Sequence, residues 1–319
     1  MRRCIPIAFA AAGIIAPAAA QGPPLPAYRA MNPVVASRSG LGFIPVAGTG
    51  RWQVALGLDY ASIVELDVEP FGEYVLDAEV LRLAGTISRR VGARGFVRVT
   101  ATLGGAFAGF LDGPLDAYHD LIGLDETNRS NRPTNEFGYR IGFPDGSSVE
   151  RAPSDGFLGD VTLGGGVLLT PHWQVALQLV LPTSTGPEGY GVGTVAGALM
   201  TAARSRAIGN RLTMEGSAGM GYSPTSGDLA EWQRTVFALA TAGARLRFWG
   251  RQSAYINFIY HSPVYRNTVH AGLDDAEFSI DTGFLFQPGG GPEILAALTE
   301  DLSPSGPAVD VVFRLGVRW

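Results

Sequence analysis

The last ten residues, Asp310 to Trp319 (DVVFRLGVRW), alternate along their whole length. Val311, Phe313, Leu315, Val317 and Trp319 fall on one side, and Asp310, Val312, Arg314, Gly316 and Arg318 on the other. Period-two alternation gives a β-strand one apolar and one largely polar face. Such a strand fits either the half-buried edge of a soluble sheet or a barrel wall whose apolar face meets lipid. The remainder of the chain decides between these.

Hydrophobic residues make up 46% of the 319 and charged residues only 17%, yet no run of about 18 apolar residues occurs after the first twenty positions, so helical membrane spans are excluded. The apolar content is instead distributed by alternation and punctuated by 43 glycines and 21 prolines, the composition of many strands and turns. Twelve strands are predicted: Trp52–Ser62, Tyr74–Ser88, Phe96–Phe107, Phe157–Leu169, Trp173–Leu181, Thr194–Arg204, Leu212–Tyr222, Val236–Trp249, Ala254–His261, Phe278–Phe286, Ile294–Glu300 and Ala308–Trp319. Connections after the even-numbered strands are short, such as Thr170-Pro171-His172 and Gly250–Ser253. Those after odd-numbered strands run longer: 63–73, 108–156, 182–193, 223–235, 262–277 and 301–307. Sorting of loop length by parity is the connectivity of a transmembrane barrel with short periplasmic turns and longer outer loops. A soluble sandwich has no reason to produce it.

The fold class expected is therefore all-β, a closed antiparallel transmembrane barrel of about twelve strands with a long outer loop after the third. Trp52, Trp173, Trp249 and Trp319 would sit at the periplasmic rim, and Tyr60, Tyr74, Phe107, Tyr222, Trp232 and Tyr260 near the opposite one. Such a barrel belongs in a Gram-negative outer membrane, with lipid and lipopolysaccharide around it. Phe313, Leu315, Val317 and Trp319 resemble the terminal-strand signal read by the outer-membrane assembly machinery.

Ahead of the barrel, residues 1–20 read as a secretory signal: Arg2 and Arg3, a short apolar run, then Ala18-Ala19-Ala20. The only cysteine, Cys4, lies within it, which leaves the exported chain without a disulfide or a thiol nucleophile. Residues 21–50, Pro- and Ala-rich and without periodicity, read as a periplasmic N-terminal segment, and 51–319 as the barrel with its insertion at 108–156. The formal net charge is −5, all basic residues are Arg, and no long basic patch exists, which argues against nucleic acid as a partner.

If Val, Leu and Phe mark the lipid face, the opposite residues line the lumen. The candidates are Asp59, Asp77, Glu79, Arg98, Asp160, Glu215, Arg245, Arg247, Asp281, Arg314 and Arg318. An Arg on the lipid side would cost about 2–4 kcal/mol at the midplane. A charged lining either selects small solutes for passage or fills the barrel with ion pairs, and twelve strands lie between filled small barrels and open porins. In the insertion, Leu115, Tyr118, Leu121 and Ile122 are spaced for one face of a short helix that folds into the mouth or packs on the rim. Asp112, Asp116, His119 and Asp120 are the mouth candidates; with Asp125 and Glu126 the acids lack calcium-loop spacing and read as a solvated acidic loop. No metal and no cofactor is expected. Nor is an enzyme: His261 and Ser262 are adjacent, so in a regular strand they point to opposite faces.

The blocks FLDGPLDAYHDLIGL (Phe110–Leu124), MNPVVASRSGLGFIP (Met31–Pro45), GFLGDVTLGG (Gly156–Gly165), VLPT (Val180–Thr183) and EDL (Glu300–Leu302) resemble a proteobacterial outer-membrane protein family known only as a domain of unknown function. The likeness runs from about residue 30 to the end. It implies an outer-membrane β-barrel and no particular activity. The function expected from the residues is passive passage of small solutes through a charged lumen gated by loop 108–156; the alternative is a non-transporting barrel that binds a partner or stabilises the envelope.

Overall fold

The structure, a computed structural model, describes residues 24–39, 42, 45, 47, 50–70, 72–122, 132–207, 211–303, 307 and 309–319. Twelve antiparallel strands form the wall: β1 (Trp52–Glu69), β2 (Gly72–Val91), β3 (Gly95–Phe107), β7 (Val161–Thr170), β8 (Trp173–Leu181), β9 (Ala196–Ala207), β10 (Leu212–Tyr222), β11 (Val236–Trp249), β12 (Gln252–His261), β13 (Glu277–Phe286), β14 (Glu293–Asp301) and β15 (Val311–Arg318). Each pairs with its neighbour in this order, and β15 returns to β1 with Asp59 opposite Arg314 and Tyr60 opposite Phe313. The barrel is closed. Closure leaves no edge, which a wall in lipid requires. Among the described residues no helix is long and apolar enough to cross a membrane, so crossing is by strands.

The predicted alternation holds through the membrane-facing part of the wall. Leu56, Leu315, Leu199 and Phe284 are about half exposed outward, while Asp59, Arg314, Glu215 and Asp281 on the other parity are buried inward. A band of exposed apolar side chains around a closed ring is a lipid-facing surface. Trp52, Trp173, Trp249 and Trp319 stand exposed at the end of the barrel where the short turns lie. Of the aromatic residues placed near the other rim, Tyr222 and Tyr260 are exposed, whereas Tyr74 is wholly buried on the inward face.

The first outer connection departs from expectation. Residues 63–69, 72 and 73 are strand: β1 and β2 pair without a break out to Glu69 and Gly72. Their inward side chains Ile63, Tyr74 and Leu76 are buried in the main apolar cluster, so the hairpin extends the wall beyond the bilayer instead of forming a loop. In the insertion, helix α2 (Asp112–Ile122) is followed by β4 (Gly138–Gly142), which pairs with β2 past the end of β3. β5 (Ser148–Glu150) pairs with β4, and β6 (Ser154–Leu158) with β3.

The largest departure concerns the described residues 24–39, 42, 45 and 47, which do not form a separate periplasmic segment: they occupy the lumen. Their partners lie all round the ring. Arg314 and Arg318 of β15 donate to the carbonyls of Ala27 at 2.5 Å and Pro24 at 3.0 Å. Arg82 of β2 donates to the carbonyls of Arg29 at 3.0 Å and Ala30 at 2.8 Å, and Tyr28 donates from its hydroxyl to Glu277 of β13 at 2.9 Å. On the far side, Gln178 and Gln174 of β8 donate to the carbonyls of Gly42 at 2.6 Å and Pro45 at 3.1 Å. Only a chain inside the ring can meet strands on opposite sides of it. The segment runs from Pro24 to helix α1 (Pro33–Ser39), and beyond the helix Gly42 lies bridged to Arg29. A chain surrounded by wall needs no polar face, which is why this stretch carries no periodicity.

Candidate functional site

The lumen has two zones. In the outer half, Met31, Val34 and Val35 of the re-entrant segment pack in one buried cluster with Ala61, Met200, Phe237, Leu239, Ile259 and Val312 of the wall. These wall residues have inward parity yet are apolar, because what faces them is an apolar helix and not water. In the periplasmic half the inward residues are charged and interlocked. Arg314 donates from Nη1 to Asp281 at 2.6 Å and from Nε to Asp59 at 3.2 Å, and Asp59 also accepts from Arg82 at 2.9 Å. Asp281 further accepts from Tyr255 at 2.9 Å and Thr299 at 3.0 Å. Glu293 pairs with Arg245 at 2.6 Å and also with Arg318, and Glu215 pairs with Arg204 at 2.8 Å.

Seven of the lumen candidates face inward: Asp59, Arg98, Glu215, Arg245, Asp281, Arg314 and Arg318. Arg247 shares that parity but is exposed at the rim. Asp160 lies between β6 and β7 and caps loop amides, accepting from Thr183, Ser184 and Val192 at 2.9, 2.9 and 2.7 Å. Asp77 and Glu79 are corrections. The β1–β2 register runs unbroken, so Arg82, opposite Asp59, points inward and the odd-numbered Asp77 and Glu79 point outward with Leu83 and Ile87. They avoid lipid because the insertion covers them: Glu79 accepts from the amides of Phe110 at 2.6 Å and Leu111 and from the Tyr60 hydroxyl, and Asp77 pairs with Arg132 at 3.0 Å.

These contacts also place α2. It is anchored on the outer surface of the wall, with Phe110 against Tyr60 at 5.9 Å between ring centroids, and it does not form the constriction. Asp112 is buried and accepts from the amide of Asn135 at 2.5 Å, Asp116 has an interaction of its own, and Asp120 is exposed. The His119 side chain, Asp125 and Glu126 lie outside the described residues. Above the lumen the outer loops knit together: Phe143 stacks on Trp232 at 3.6 Å, and Arg151 pairs with Asp228 at 3.0 Å and Glu188 at 3.7 Å. The Arg151 guanidinium holds the Asp228 carboxyl below its ordinary range.

His261 and Ser262 are spoken for structurally. The His261 ring stacks on Phe237 at 5.3 Å with Nδ1 on the Ser262 carbonyl, while the Ser262 hydroxyl accepts from the Ala238 amide at 2.8 Å. Sequence reasoning missed Arg82, Arg204, Glu293 and the lumen residue Arg29. Arg82 and Glu293 were recoverable by carrying strand parity through; Arg29 was not, since nothing marked its segment as internal.

Among solved structures, an outer membrane channel from Pseudomonas putida F1 aligns with a TM-score of 0.54 at 11% identity, over 85% of this chain and 96% of that one. The NanC porin aligns with a TM-score of 0.46 at 9% identity, over 83% and 98%. The translocator domain of the autotransporter NalP from Neisseria meningitidis gives 0.42 at 11%, over 86% and 89%. The first of these likenesses carries the fold, a closed outer-membrane β-barrel, and with the lipid-facing band it places the chain in the Gram-negative outer membrane. No curated protein sequence matches the chain. A family profile described as a protein of unknown function (DUF3187) matches residues 45–319, and the chain belongs to that family.

Proposed function

We propose that the protein is an outer-membrane channel for small solutes whose lumen is closed at rest by the re-entrant segment that begins at Pro24. The observation that carries this reading is how the segment is held in the periplasmic half. Wall arginines grip backbone carbonyls from Pro24 to Ala30, so this part of the attachment is made largely of exchangeable hydrogen bonds to the main chain. Beside it run small cavities of about 90, 100 and 130 Å³ that all touch Arg29 and lie along the inner wall from β13–β15 through β1–β3 to β7 and β8. Withdrawal of the segment would join them. Segments that move in gating are drawn from the locally weakest parts of a fold.

A second reading, a non-transporting barrel, is favoured by the ion pairing of Asp59, Asp281, Glu293 and Glu215, which fills the lower lumen as side chains fill a core. Planar-bilayer recording separates the two. The intact chain should open rarely, and a variant lacking residues 24–47 should conduct steadily. Folded protein of both kinds that never conducts would favour the second reading.

A further inference from the structure

We propose that the lumen contains a binding site for a small oxyanion, of phosphate or short-chain carboxylate size, between the re-entrant segment and the β3–β7 part of the wall. The cavity there is about 100 Å³ and is lined by the guanidinium-bearing Arg29, Arg98 and Arg318, with no carboxylate among the described lining residues. That is unlike the rest of the lower lumen, where cations and anions alternate. Arg318 is neutralised from behind by Glu293. Arg98 donates from Nε to the Ser88 hydroxyl at 3.1 Å, and among the described residues neither Arg98 nor Arg29 has an ion-pair partner. Asp59 acts on Arg29 and Glu215 on Arg98 only from beyond ion-pair distance, and two enclosed cations with no carboxylate in contact are costly. A mobile anion removes that cost.

A second feature points the same way. Thr162 on β7 is 3% exposed, its hydroxyl has no hydrogen-bond partner, and it lines this cavity. A buried hydroxyl without a partner among the described residues, beside two guanidinium groups that lack an ion-pair partner among them, is a donor awaiting an acceptor. The planar guanidinium fork matches carboxylate and phosphate oxygens, which selects an oxyanion over a spherical ion. A cavity of about 100 Å³ holds only a few heavy atoms, given about 30 Å³ for each water, so the ligand is small. The proposal concerns binding and stands whether or not the barrel conducts.

The test is isothermal titration of the purified, folded full-length exported chain in detergent at low ionic strength, with inorganic phosphate and, separately, sodium acetate. Saturable binding of at least one is expected at a single site. Arg98→Gln and Thr162→Val should each weaken it by about tenfold or more, while Arg251→Gln at the exposed turn after β11 should not change it. Thr162→Val is near-isosteric, so it keeps the test open should Arg98→Gln fail to fold. Absence of saturable binding for both probes, or undiminished binding in both folded variants, would overturn the proposal. Displacement by chloride as effective as that by phosphate would overturn the oxyanion assignment.

Discussion

Arg314 joins Asp59 and Asp281 along the inner wall, its Nη1 lying 2.6 Å from the Asp281 carboxylate and its Nε 3.2 Å from that of Asp59. Because all three are buried, removing the guanidinium strands carboxylates that Arg82, Tyr255 and Thr299 only partly satisfy. Arg314→Ala should therefore destabilise the barrel by about 3–5 kcal/mol, read as a lower urea midpoint of the heat-modifiable form. Arg314→Ala with Asp281→Asn should recover part of the loss. Equal midpoints for wild type and Arg314→Ala would show that the network contributes nothing.

The terminal strand makes a second prediction. Phe313 and Trp319 face outward, exposed at the surface that meets lipid. Phe313→Asp places a charge in that band and Trp319→Ala removes the terminal ring, so both should lower the folded fraction in outer membranes while export continues. Normal levels of folded barrel for both would count against Phe313, Leu315, Val317 and Trp319 acting as an assembly signal.

Membrane orientation can be read chemically, since Cys4 is the only cysteine and falls in the stretch expected to be removed on export. A cysteine at Thr225, exposed in the loop after β10, should react with an impermeant reagent on intact cells. One at Arg251, exposed in the turn after β11, should react only after the envelope is broken. Labelling at Arg251 in unbroken cells would reverse the orientation.

The twelve wall strands were legible because lipid outside and polar groups inside impose opposite demands on alternate residues, as at Leu315 beside Arg314. Where those demands relax, the reading failed. Beyond the bilayer the outer face of β2 is covered by the insertion, so Asp77 and Glu79 are tolerated outward and looked like lumen residues. In the outer lumen Phe237 and Leu239 face α1, so inward apolar residues blur the alternation. The re-entrant segment left little trace, because many of its contacts are made through backbone carbonyls such as those of Ala27 and Ala30, which any sequence supplies, and its side-chain contacts follow no period.

The outer loops carry a pH-sensitive tie. Arg151 holds Asp228 and, more distantly, Glu188, and it keeps the Asp228 carboxyl below its usual range. A depressed carboxylate contributes stability at neutral pH and loses it as pH falls through its folded value. Its side chain is about half exposed, so the effect is local and screened by salt, and not global unfolding. Hydrogen exchange across residues 223–235, corrected for intrinsic rate, should quicken on acidification, and Asp228→Asn should be fast already at neutral pH. Exchange independent of pH in the wild type would remove the tie.

The attachment of the insertion turns on one glycine. Gly109 adopts a φ of +74°, and a Cβ built there would collide with the Glu79 carboxylate, the group that accepts the amides of Phe110 and Leu111. Gly109→Ala thus imposes left-handed backbone strain of about 1–2 kcal/mol on an L-residue and also displaces the acceptor. The expected result is release of the loop from the wall, seen as faster trypsin cleavage at Arg132, whose pairing with Asp77 lies on the same outer face. Gly113→Ala, where a Cβ meets nothing within 4 Å, should leave cleavage unchanged. Identical digestion of the two variants would mean that Glu79 does not anchor the insertion.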